Sequence, residues 1–225
     1  MASETIRFVR RAILALELLD PFTGEPIYRE VKLTAWDKDG VPVAGQPVVN
    51  LSRRFVWWNY KLRGDDQPVP GLPENPIARI RVAPPSPYGP LDVDLEETPP
   101  VEGLVSRFIP IDPSYRLPAG VTAIAGSLVE GDMPVAGATV SLAWIENGSA
   151  PLAGVNVPSG VSLDKGQFLA ATRAMPNRLA NLGEGPRARV FVTRASERRQ
   201  GDHPLEEGKL NAMGALDWAT LEAIA

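Results

Sequence analysis

The chain of 225 residues contains no cysteine and a single histidine. Without cysteine there is no disulfide framework, so the fold must be held by core packing. With one histidine, His203, a multi-histidine metal centre is excluded, and no thiolate can replace the missing ligands. A G-x-S-x-G nucleophile elbow is absent, as are a G-x-x-x-x-G-K-[ST] phosphate loop and a G-x-G-x-x-G dinucleotide fingerprint. No run approaches the ~18 apolar residues of a membrane span. Arg10-Arg11 followed by Ala12–Leu16 imitates a signal peptide, but Glu17 ends the apolar run below the ~7–15 residues such a segment needs. The expectation is cytoplasmic synthesis without standard export.

Positive charge is also scarce. Lys and Arg number 23 against 27 Asp and Glu, a net charge of −4. The pairs Arg10-Arg11, Arg53-Arg54 and Arg198-Arg199 are isolated, which argues against a nucleic-acid footprint.

Proline and glycine, by contrast, are abundant, at 23 and 20 residues. They separate short strand-like runs, several of which show the period-two alternation of half-buried strands. Such runs occur at Phe8–Leu19, Glu30–Trp36, Val48–Leu51, Arg54–Leu62, Ile77–Val82 and Leu91–Leu95. After a proline-rich linker at Pro110–Gly120 they resume at Thr122–Val129, Ala138–Ile145, Gln167–Thr172 and Arg187–Arg194. Turns are expected at Asp20–Gly24, Asp37–Gly40, Glu130–Pro134 and Asn147-Gly148.

The predicted fold is all-β. It comprises two immunoglobulin-like or transthyretin-like sandwich domains in tandem, residues 1–112 and 113–200, with a short helical tail over 201–225. The tail is rich in alanine, leucine and glutamate, and Asp217 is placed to cap a last turn. It either packs on its own domain or docks on another subunit through Met213, Leu216, Trp218 and Leu221.

Candidate chemistry is sparse. Asp37-Lys38-Asp39-Gly40 resembles a calcium-loop fragment, but the downstream carboxylate is lacking and a hairpin turn suffices. Asp92, Asp94, Glu96 and Glu97 read as a solvated acidic edge, and Gly64-Asp65-Asp66 as a loop. Asn50-Leu51-Ser52 and Asn147-Gly148-Ser149 match glycosylation sequons by chance. The aromatic set Trp36, Trp57, Trp58 and Tyr60 is the most informative cluster. Neighbours on a strand face opposite ways, so one of Trp57 and Trp58 enters the core. The outward ring is covered by other parts of the fold, or meets a subunit, or stacks on a surface glycan.

Residues 121–172 resemble the carboxypeptidase regulatory-like, prealbumin-type sandwich. The resemblance is carried by Ala125–Val129, by Pro134–Val140 against P-x-A-G-A-x-V, and by Asp164–Phe168 against D-x-x-G-x-F, one residue shorter here. Asp20–Pro26, against D-x-F-T-G-x-P, and the linker Ile109–Thr122 resemble proteins encoded with phage-tail-like contractile injection systems. The resemblance implies a structural subunit that works through β-sandwich surfaces and contacts other protein subunits. It implies no catalytic residue and no cofactor. A carbohydrate-binding or adhesive module is the alternative.

Overall fold

The alternating runs are strands. The computed structural model describes residues 7–43, 45–63, 77–96, 100, 103–146, 150–151, 158–172 and 187–224. They form two compact units. The first comprises Met1–Asp20, Glu25–Pro84 and Leu91–Arg107; the second comprises Pro21–Gly24, Pro85–Pro90 and Phe108–Ala225. Among the described residues no helix is long and apolar enough to cross a membrane.

The first unit has two sheets. One runs in the order β3 (Val48–Val49), β4 (Phe55–Arg63), β1 (Arg7–Leu19) and β7 (Leu104–Phe108). The other is β2 (Lys32–Trp36), β5 (Arg79–Ala83) and β6 (Leu91–Asp94). Each buries one face, as the period-two pattern requires. Leu14, Leu16 and Leu18 on β1 are buried, as are Leu33 and Ala35 on β2, Ile80 and Val82 on β5, and Val93 on β6. Asp92 and Asp94 stand exposed on the opposite face of β6. The Asp37 turn is an ordinary hairpin: the carboxylate accepts the backbone N–H groups of Asp39 and Val41 at 2.9 and 2.8 Å.

The second unit is a sandwich around one core. Its larger sheet runs β11 (Ala150–Pro151), β10 (Thr139–Glu146), β14 (Arg187–Arg194), β15 (Glu197–Pro204) and β17 (Glu222–Ile224), with β12 (Ser159–Val161) against β10. The smaller runs β13 (Gln167–Thr172), β8 (Thr122–Glu130) and β16 (Leu210–Asp217), with β9 (Met133–Pro134) beside β8. Ile124 and Leu128 from one sheet pack with Val140, Leu142, Val190 and Val192 from the other. Phe168 follows the Asp164–Gly166 turn into this core and is 1% exposed. Gly166 is obligatory there: φ is +73°, and a Cβ would lie 2.3 Å from the Leu128 carbonyl oxygen. A separate small cluster gathers Ile111, Ala123, Leu169 and Ala171, with Phe22 and Tyr115 against it. The rings of Phe22 and Tyr88 lie 5.6 and 5.8 Å from that of Tyr115.

The helical tail is corrected by the structure. Residues 197–204 form β15 in an antiparallel ladder with β14. Residues 210–217 form β16, parallel to β8, and the chain ends in β17 on β15. Tertiary pairing overrides the helical preference of alanine, leucine and glutamate, because the edges of β8 and β14 offer backbone partners that an isolated helix would leave unused. What remains of the expected turn is a single 3-10 turn at Trp218–Thr220, capped by Asp217, whose carboxylate accepts the Ala219 N–H at 3.0 Å. The expected Asn147-Gly148 turn and the Gly64-Asp65-Asp66 loop lie outside the described residues.

Candidate interaction surfaces

The predicted aromatic cluster divides along the pleat. β1 and β4 pair Ala12 with Trp58 and Leu14 with Trp57, with a register shift between them. Trp57 is buried, 4% exposed, so it is core and not a contact residue. Trp58 is half-buried. The side chain of Tyr60 lies outside the described residues. Trp36, on the other sheet of the unit, is half-buried with the Arg79 guanidinium 4.9 Å from its ring centroid. Arg79 is also its cross-strand partner. One face of that ring is therefore already occupied by a cation.

Among the described residues of the first unit, a set of exposed apolar side chains lies elsewhere. Val48 and Val49 face opposite sides of the pleat, yet they are 51% and 41% exposed, and Leu51 is fully exposed. On this short edge strand neither face is buried among the described residues. The turn that follows is tied closely. Asn50 N–H donates to the Arg54 carbonyl at 2.9 Å, Arg53 N–H to the Asn50 carbonyl at 2.9 Å, and Arg54 N–H to the Asn50 side chain at 3.0 Å. Arg53 is held at φ +61°, in the left-handed region that glycine or asparagine usually fills. Its guanidinium lies 5.5 Å from the Tyr28 ring centroid, and that of Arg29 lies 5.7 Å from the same ring. Neither arginine forms an ion pair among the described residues. Arg54 differs: it donates to Glu17 at 2.8 Å, and Ser106 donates to the other oxygen at 2.8 Å. Burial works to raise the Glu17 carboxyl, but these two hydrogen bonds and the Arg54 charge bring it below its ordinary value. The sequence predicts one more strand at Val48–Leu51. The available signal was three large apolar residues within four positions, with no alternation to assign an inner face.

The four tail candidates sit in or against the core of the second unit. Leu216, Trp218 and Leu221 are buried there, and Met213 packs half-buried against them. They fill the sandwich, so they are not an outward docking face. The last residues form a strap from β16 in the small sheet to β17 in the large one. The inward face of β15 beneath it carries Arg199, Gly201 and His203. Arg199 places its guanidinium 4.7 Å from the Trp218 ring centroid and donates to the Trp218 carbonyl at 3.0 Å. Gly201 is dictated by the strap, since a Cβ there would lie 2.9 Å from Leu221 Cδ2.

His203 opens onto a groove of about 440 Å³ lined also by Leu205, Lys209, Leu210, Met213 and Leu216. Burial lowers the His203 pKa; Asp202 opposes this and Arg187 adds to it. Asp202 itself accepts a two-point contact from Arg189, at 2.6 and 2.9 Å, which holds its carboxyl below the ordinary value. Lys209 pairs with Glu206 at the rim. Asn211 is committed to the loop: its oxygen accepts the Glu206 N–H, and its NH2 donates to the carbonyls of Ala123, Glu206 and Lys209. Among the described residues, no group of three His, Asp or Glu side chains is placed to hold a metal ion.

No protein-family model matches the chain, and no curated protein matches it. The chain has distant likenesses to solved structures. The shaft pilin SpaA from Lactobacillus rhamnosus GG aligns with 94% of this chain and 98% of its own, at 10% identity and a TM-score of 0.26. The minor pilin GBS52 from Streptococcus agalactiae aligns with 94% and 97%, at 10% identity and a TM-score of 0.24. Superposition this weak assigns neither family nor activity. The chain stands on its own geometry, which is all-β.

Proposed function

We propose that the chain is a non-enzymatic structural subunit that acts through the surfaces of its β-sandwiches. The supporting observation is the distribution of side chains. The polar clusters around Glu17, Asp202 and Asn211 are consumed by internal hydrogen bonds, whereas the hairpin Val48–Arg54 presents apolar and cationic groups outward. Exposed apolar residues at an edge strand are a contact surface or a liability. Surfaces, not reactive groups, are what this molecule offers to its surroundings.

The specific form of the proposal is a subunit of a phage-like or contractile injection particle, with a transthyretin-like second domain. It rests on the sequence resemblances at residues 20–26, 109–122 and 121–172. Trp57 is core and one face of Trp36 is taken by Arg79, which weighs against a glycan-stacking platform built on these two rings. The test is size fractionation of a native lysate from the producing cell with detection of this chain. Co-elution with a large particle is the expected result. Elution at monomer size throughout, or turnover of a substrate lost on replacing His203, removes the reading.

A further inference from the structure

The ring of His203 is not consumed by the fold. It is half-buried, yet among the described residues no group hydrogen-bonds to it. No fully buried side-chain nitrogen or oxygen among them is left unpaired, so the ring nitrogens keep contact with open space. That space is the groove of about 440 Å³ beside β16. Burial lowers the pKa of the ring, so near neutral pH an uncharged imidazole faces the groove, with one N–H donor and one acceptor. The walls are built for it. Strict alternation would send Met213 and Leu216 to opposite faces of β16, but both line the groove. The register against β8 shifts between Ala212 and Gly214, and Gly214 takes φ +70°. This bulge turns both side chains to the same side. Leu205 and Leu210 complete the apolar lining, Leu210 at 60% exposure. The remaining polar groups are spoken for: Lys209 pairs with Glu206, and the Asn211 amide is bonded to its own loop and to the Ala123 carbonyl.

We propose that this groove binds a small uncharged molecule of the phenol class, with the His203 ring reading its hydroxyl group. The volume falls in the range of small-molecule sites, which join apolar walls to a few placed polar groups. A single unbonded imidazole calls for a single hydroxyl. The Met213 thioether favours an aromatic body over an aliphatic one. A charged ligand fits poorly, because the charges at the rim already neutralise each other and a desolvated ion without a partner is costly. Such a site gives the molecule a ligand in addition to any subunit contacts and does not depend on them.

The test is a nuclear magnetic resonance titration of the purified full chain with 4-ethylphenol at neutral pH. The chain has one histidine and four methionines, so the imidazole signals belong to His203, and the Met213 methyl is assigned by its loss in Met213→Leu. Saturable shifts of both signals are the expected result. 4-Ethylanisole, in which a methyl group replaces the hydroxyl proton, should bind about tenfold more weakly, because the ring loses its hydrogen-bond partner. His203→Phe keeps a ring without nitrogens and should weaken 4-ethylphenol by about tenfold, read at the Met213 methyl. Ala215→Trp, at an exposed position on the groove wall, should abolish the shifts by filling the space. Circular dichroism and melting confirm that both variants fold. The absence of a saturable shift up to the solubility limit overturns the proposal. Equal binding of 4-ethylanisole, tighter binding of 4-ethylbenzoate, or shifts that persist in Ala215→Trp also overturn it. Shifts of the same signals when the protein is concentrated without ligand would place a second copy in the groove, with the same consequence. None of these outcomes bears on co-elution with a particle, so the two readings stand or fall separately.

Discussion

Two tryptophans in this molecule carry an arginine over the ring at almost the same distance. Arg199 lies 4.7 Å from the centroid of Trp218, and Arg79 lies 4.9 Å from that of Trp36. Their surroundings differ. Trp218 is 3% exposed and belongs to the core of the second unit, where Arg199 also holds its carbonyl. Trp36 sits half-buried beside an exposed arginine on a three-stranded sheet. The attraction between cation and ring rises as water is removed, from ~0.5–1 kcal/mol at exposed sites to ~2 when desolvated. The same pair of residue types therefore closes a fold in one place and dresses a surface in the other. Geometry alone does not tell them apart; burial does.

Substitutions can break the comparison in order of size. Trp218→Ala should cost about 3–5 kcal/mol, because it removes a buried ring and leaves a cavity where the strap crosses the sandwich. The denaturant midpoint of the isolated chain would show this, and a loss below about 1 kcal/mol would mean that the strap is not part of the core. Arg199→Ala should cost about 1–3 kcal/mol, through the lost ring contact and an unmade hydrogen bond to the Trp218 carbonyl. Combined with Trp218→Ala, it should add little, which a double-mutant cycle measures.

A pH titration sharpens the same region. The folded His203 pKa lies below its ordinary value of 6.5 because the ring is buried. The unfolded chain therefore takes up the proton first as pH falls, so the stabilisation is present above that value and is lost progressively below it. Urea midpoints measured from neutral pH to about pH 5 should decline, and His203→Gln should flatten the decline. An unchanged slope in that variant would remove His203 from the seam. Smallest of all, Arg79→Ala should change stability by no more than about 0.5–1 kcal/mol, as expected for an exposed cation–ring pair. Tryptophan fluorescence would show the newly wetted Trp36 ring.

The strands were legible wherever one face meets a core. Leu91–Leu95, Ala138–Ile145 and Arg187–Arg194 alternate because each has an inside and an outside. The Asp164–Phe168 turn announced its glycine and its buried phenylalanine, and Asp217 announced its cap. β15 was hidden for a specific reason. Its inward residues are Arg199, Gly201 and His203, which look like surface until a strap is laid over them. β16 was hidden because its order comes from β8, far away in sequence, not from its own periodicity. The candidate site was less legible than the fold. Trp57, Leu216, Trp218 and Leu221 suit either a contact or the core on sequence alone, because large apolar side chains fit both interfaces and interiors. The hairpin at Val48–Arg54 is silent in the sequence because no alternation there marks an inner face.

The parallel ladder between β8 and β16 has a consequence for synthesis. β8 leaves the ribosome with one side soon matched by β13, while its other side waits until β9 through β15 have been made. For that interval the nascent second unit carries an open row of amide and carbonyl groups beside an unfinished interior, a setting in which β-chains mispair. Emergence of the strap, which brings Trp218 and Leu221 over Gly201, is the event that seals it. Translation speed through residues 205–224 should therefore govern the yield of soluble protein more strongly than speed through any earlier segment.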